Sequence, residues 1–162
     1  MSQYTFIASD YELPQVTNPN IEIITVREAI MRGIEPNELM PWEEMDQDAE
    51  VLVVEDEEYL YELEIMKEDE LYDDVGSYTE KPYIYSVDFH YTEKRGNELL
   101  KYLKSNIRKG HTLELWTIWL NDKTNVQPKV KNFDEISLDD IDKMFNSDNE
   151  NWENHSVIII KG

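Results

Sequence analysis

Residues 83–90, 91–110 and 111–120 read YIYSVDFH, YTEKRGNELLKYLKSNIRKG and HTLELWTIWL. In the first piece Tyr83, Tyr85, Val87 and Phe89 fall on one side of an extended chain. Ile84, Ser86, Asp88 and His90 fall on the other, which is the period-two pattern of a strand. In the second piece Leu99, Leu100, Leu103 and Ile107 recur at helical spacing, with Thr92 as N-cap and Gly110 as stop. Gly96 lies on the same stripe and predicts a close approach of this helix to a sheet. In the third piece Leu113, Leu115 and Trp119 alternate with Trp116, Ile118 and Leu120. Both faces are apolar, as in a central strand covered on each side. The links are short, so the helix must fold back directly. If the two strands share a sheet, they run parallel through a right-handed crossover.

Beyond this unit, Asn121–Asn132 is polar, contains Pro128 and reads as a loop. Ser137 caps a second helix with Asp139 and Asp140 in its first turn and Leu138, Ile141, Met144 and Phe145 on its apolar face. Ser156–Ile160 is a last buried strand. Before the unit, Tyr4–Ser9 reads as a strand, 10–20 as a loop and Ile21–Thr25 as a short strand. Thr25 and Glu28 form a capping box for a helix that Gly33 ends. Residues 34–49 read as a linker with a helical turn after Pro41. Glu50–Val54 reads as a strand buried on both faces, and Tyr59–Met66 as a half-buried strand that forms a hairpin with it.

The expectation is an α+β fold with an α/β-like C-terminal half. It has a single mixed sheet of about six strands and two main helices, in β-α-β-α-β order over residues 83–160. The 162 residues read as a single globular domain, with any internal division placed near residue 80. Hydrophobic residues make up 40% of the chain, enough for a core. With no cysteine, disulfides, thiolate metal sites and a cysteine nucleophile are excluded. The N-terminus lacks the basic and apolar regions of a signal peptide, and the longest apolar run, Val157–Ile160, is far short of a membrane span. A cytoplasmic location is expected.

Charge is the most telling feature. Between Glu43 and Glu80 there are seventeen carboxylates and one base, Lys67, a net −16 within a chain of −21. Nucleic acids and anionic membranes are disfavoured as ligands, and a basic protein is the partner such a field selects. The candidate binding residues are Glu55, Asp56, Glu57, Glu58, Tyr61, Asp69, Tyr72, Asp73 and Asp74. The plainer account of the same band is a solvated acidic face. Opposed to it, residues 92–110 carry six bases against Glu93 and Glu98, a net +4. That asymmetry leaves three arrangements open: the band packs on the helix, copies associate as a homodimer, or the helix meets an acidic partner.

Two further constellations carry chemistry. Asp88 and His90, two residues apart near a strand end, together with Glu114 are candidates for a divalent cation or acid–base work. Their plain alternative is a surface strand end, with Glu114 paired to a base of the crossover helix. Thr92, Lys94 and Arg95 open a helix and are candidates for binding an anion. No HExxH, Walker loop, GxGxxG, DxDxDG or GxSxG occurs, so no cofactor is expected. The first functional expectation is a non-enzymatic, inhibitor- or immunity-like domain that meets a basic protein. The alternatives are a metal-dependent or acid–base enzyme on Asp88, His90 and Glu114, and a structural or oligomerising accessory domain.

Overall fold

The computed structural model describes residues 2–70, 73–122 and 124–162. The chain falls into two compact units. One comprises Met1–Thr17 and Glu62–Gly162, and the other, inserted between those segments, is Asn18–Tyr61. The boundaries between the two units fall at 17/18 and 61/62.

The larger unit is built on strand β1 (Gln3–Ser9). It pairs antiparallel on one side with β5 (Tyr83–Asp88) and on the other with β6 (Thr112–Trp119). β5 and β6 therefore run parallel to each other, joined by helix α2 (Glu93–Asn106), with β1 between them. Outside β5 lies β4 (Glu64–Lys67), and outside β6 lie β8 (Ser156–Lys161) and then β7 (Lys129–Asn132). β7 pairs parallel with β8 and the other neighbours are antiparallel, so the six-stranded sheet is mixed. β7 lies where a polar loop is expected. Its Lys129 and Lys131 alternate with Val130, a pattern too short and too polar to stand out.

Two faces of this sheet are buried. On one, Ile7, Tyr85, Leu113, Leu115, Ile158 and Ile160 pack with Leu99 and Leu103 of α2 and with Ile141 and Met144 of α3 (Leu138–Phe145). On the other, Phe6, Ala8, Ile84, Trp116, Ile118 and Val157 pack with Val75, and Tyr78 is added at the edge. Three tyrosine hydroxyls anchor the loop after β1. Tyr11 donates to the Asn106 carbonyl at 2.6 Å, Tyr102 donates to the Pro14 carbonyl at 2.7 Å, and Tyr85 accepts from the Leu13 amide at 2.8 Å.

Both helix starts follow from their caps. The Thr92 hydroxyl accepts from the Arg95 amide at 3.2 Å, and the Asp140 carboxylate accepts from the Ser137 amide at 2.9 Å. Gly96 makes a close approach, but to Tyr91 and α3 rather than to the sheet. A Cβ there would lie 2.8 Å from the Tyr91 ring and 3.0 Å from Leu138.

In the inserted unit β2 (Ile21–Thr25) leads into α1 (Val26–Met31), and β2 pairs antiparallel with β3 (Glu50–Val54). The Thr25 hydroxyl caps α1 through the Glu28 amide at 3.2 Å, and Gly33 ends it with φ 69°. β3 forms no hairpin with 59–66. Residues Glu57–Tyr61 are a 3-10 turn, started by the Asp56 carboxylate accepting from the Glu58 amide at 2.9 Å. Of the expected strand only residues 64–66 are extended, as part of β4, which pairs with β5. Among the described residues no helix is long and apolar enough to cross a membrane.

Candidate interaction surface

In the β2–β3 pair, Ile21 lies opposite Val54 and Ile23 opposite Leu52. By the pleat these four share one face, with opposite Cβ atoms about 5 Å apart. That face is not covered: Ile23 is 64% and Leu52 52% exposed. β3 is therefore not the doubly buried strand that its run of apolar residues implies. On the opposite face Ile24 is buried, and so are Val26 and Ala29 of α1. Among the described residues ten large hydrophobics are exposed, and eight of them lie in 18–61: Ile23, Ile30, Met31, Leu39, Met40, Leu52, Tyr59 and Tyr61.

The same segment carries thirteen carboxylates and two bases, a net −11. Both bases are tied to local carboxylates. Arg27 reaches Asp48 at 2.9 Å, and Arg32 grips both oxygens of Glu22 at 3.0 and 3.1 Å. The Arg32 hydrogen bond holds the Glu22 carboxyl below its usual range. Glu55, Asp56, Glu57 and Glu58 follow the end of β3 directly, and all four are exposed. Tyr61 is 39% exposed at the end of the 3-10 turn.

The rest of the acidic band belongs to the larger unit. Asp69 and Asp73 are exposed there, whereas Asp74 is committed to structure, accepting from the Asn121 amide at 2.6 Å. Asn121 stands at φ 67°, a left-handed turn that this bond holds. Tyr72 lies outside the described residues. The bases along α2 and just after it, Lys94, Lys101, Lys104, Arg108 and Lys109, are exposed. Arg95 alone turns inward, 3% exposed, with its guanidinium 3.2 Å from Glu62 and 3.3 Å from the His90 carbonyl. Of the anion candidates, then, Thr92 is an N-cap and Arg95 a core ion pair, and only Lys94 is at the surface.

Asp88 and Glu114 are not brought together. Ala8 stands opposite both Glu114 and Ile84, so Glu114 is level with Ile84, four residues or about 13 Å along β5 from Asp88. Glu114 accepts from the Trp116 indole at 2.9 Å, on the face away from α2, so it does not pair with a base of that helix. His90 lies beyond the end of β5 and is exposed. Among the described residues no group of three His, Asp or Glu is placed to hold a metal.

Sequence reading located the charge but not the uncovered apolar ladder. The available signal is a pair of five-residue strands, IEIIT and EVLVV, separated by two dozen residues with little apolar patterning between Ile34 and Ala49. So few core residues cannot cover both faces of a sheet. Compared with known protein families, curated proteins and solved structures, the chain matches none.

Proposed function

We propose that the chain is a non-enzymatic protein-binding domain whose inserted acidic unit docks a basic protein. The observation that carries this reading is the coincidence, within 18–61, of a net −11 charge and eight of the ten exposed large hydrophobics. Isolated exposed apolar side chains are ordinary, but a paired ladder of them on one sheet face is the usual mark of an interaction site. Ile23 and Leu52 would form the centre of the contact. Burial of such side chains is worth about 1.5–3 kcal/mol each. The carboxylates Glu55–Glu58 would form its rim, where charge sets encounter rate and selectivity more than affinity. The partner that fits is basic at its periphery and apolar at its centre, which is the inhibitor-like reading of the charge.

Affinity capture tests it, with the intact chain as bait at about 50 mM salt and release at about 0.5 M, where screening falls to a few Å. The captured proteins are then identified. The expected result is a basic partner that the variant Ile23→Ser/Leu52→Ser fails to hold under the same conditions. Partners retained equally by that variant, or recovered only through the Asp69 and Asp73 region, would contradict the assignment.

A further inference from the structure

The β2–β3 pair is a sheet of two strands, so among the described residues each strand has an outer edge with no neighbouring strand. The bonding between the two fixes which residues face outward. The Val26 amide donates to the Ala49 carbonyl at 3.0 Å, one step beyond Thr25 opposite Glu50 in the same register. Opposite residues of an antiparallel pair alternate between bonded and non-bonded pairs. Val26 with Ala49 is a bonded pair, and so therefore are Ile24 with Val51 and Glu22 with Val53. Thr25 with Glu50, Ile23 with Leu52 and Ile21 with Val54 are the non-bonded pairs, whose N–H and C=O groups point away from the partner strand.

The two outer edges differ. On β2 the Ile21 amide is taken by the Asn18 carbonyl at 3.4 Å, and Thr25, as N-cap, gives its carbonyl to the first turn of α1. On β3 the outward main-chain groups of Glu50, Leu52 and Val54 have no partner among the described residues. Leu52 thus presents an exposed side chain and an open main-chain edge together, at the centre of a five-residue strand. Such an edge is a template for another strand, and β3 carries neither the proline nor the lysine that would blunt it. Both of its ends are acidic. Asp46, Asp48 and Glu50 stand at one, and Glu55, Asp56, Glu57 and Glu58 at the other, all exposed.

We infer that the partner docks by strand addition: an extended segment, apolar at its centre and rich in lysine or arginine at both ends, pairs with the outer edge of β3. This rests on the docking reading above and specifies the form of the partner. Main-chain bonds to Glu50, Leu52 and Val54 would supply affinity, and alternate side chains would extend the Ile23–Leu52 ladder. The basic ends, about 16 Å apart for five extended residues, would meet the two acidic ends of β3. A second copy of β3 is the wrong occupant, because it would bring carboxylates against carboxylates.

The probe is a capped nine-residue peptide with two lysines at each end and alternating valine and threonine between them. It is titrated into the full chain at about 50 mM salt while backbone amides are followed by NMR. The control is the same peptide with its five central amide nitrogens methylated, which keeps charge and side chains but removes the donors. Saturable shifts are expected over Glu50–Val54, with slowed hydrogen exchange at the Leu52 and Val54 amides and at least tenfold weaker binding of the methylated peptide. Equal binding of the two peptides, exchange slowed at Ile23 but not at Leu52, or no saturable shifts in the low-millimolar range would overturn strand addition. The two failures are distinguishable. Equal binding of both peptides, with capture still lost in Ile23→Ser/Leu52→Ser, removes strand addition and leaves the docking surface standing.

Discussion

The two units of this chain solve the same physical problem differently. The larger one closes over its apolar residues: Phe6, Ile7, Leu113, Leu115, Ile118 and Ile160 are all fully buried. Its inward-turned charges are matched, Arg95 by Glu62 and Asp140 by Lys131. The inserted one, with 44 residues and a net −11, buries Ile24, Val26 and Ala29 but leaves Ile23, Met31, Leu39 and Leu52 more than half exposed. Elsewhere 118 residues carry a net −10, so the charge per residue is about three times higher in the insertion. A surface that is both charged and apolar gains nothing for folding. Under the docking proposal its gain is in recognition, and the contrast sets what should happen when each unit is perturbed.

The largest effect is expected in the main core. Leu115→Ala removes a fully buried side chain between β1 and β8 and should cost about 3 kcal/mol in urea denaturation, whereas Leu52→Ala in β3 should cost less than about 0.5 kcal/mol. Equal costs would erase the distinction between the units. Next comes the inward ion pair. Glu62→Ala removes the carboxylate 3.2 Å from the buried Arg95 guanidinium and should cost about 2–3 kcal/mol. Arg27→Ala, whose bridge to Asp48 is mostly exposed, should change stability by no more than a few tenths of a kcal/mol.

A smaller effect carries a pH signature. Burial works to raise the Asp140 carboxyl. Against it, the Lys131 ammonium at 2.7 Å and the Ser137 amide and hydroxyl prevail and hold it below the ordinary aspartate value of 3.8. A depressed carboxylate stabilises the fold above its unfolded value and loses that contribution as pH falls through its folded value. Asp140→Asn should therefore cost about 1 kcal/mol at pH 7, and the gap to wild type should narrow as pH falls below about 3.8. A gap that holds constant down to pH 2 would show that the carboxylate's charge is not what matters. Smallest of all is the expected change in self-association. If the exposed bases of α2 met the acidic unit of another copy, light scattering would show a mass that falls with added salt. The docking reading expects a monomer at all salt concentrations.

The central unit was legible because its signals are redundant. Period-two tyrosines, a helical leucine stripe and a capping threonine agree over 83–120, and they lead to the parallel relation of β5 and β6. That β1 lies between those strands was not legible, since nothing local records which strand pairs with which. Tyr59, Tyr61, Leu63 and Ile65 alternate as a strand would, but the Asp56 turn claims the first half of the run. Lys129–Asn132 is a strand only because β8 offers it an edge. At the candidate surface the carboxylates were countable from composition. The exposure of Ile23 and Leu52 was not, because an apolar strand residue looks the same whether the protein or a partner covers it.

The most direct test is a paired measurement on Ile23→Ser/Leu52→Ser: its unfolding free energy, and its affinity for the purified basic partner that the wild-type chain captures. The predicted result is stability within about 0.5 kcal/mol of wild type together with affinity reduced by at least tenfold, or about 1.4 kcal/mol. Unchanged affinity, or a loss of stability as large as the loss of binding, would contradict the claim that this face exists for a partner rather than for the fold.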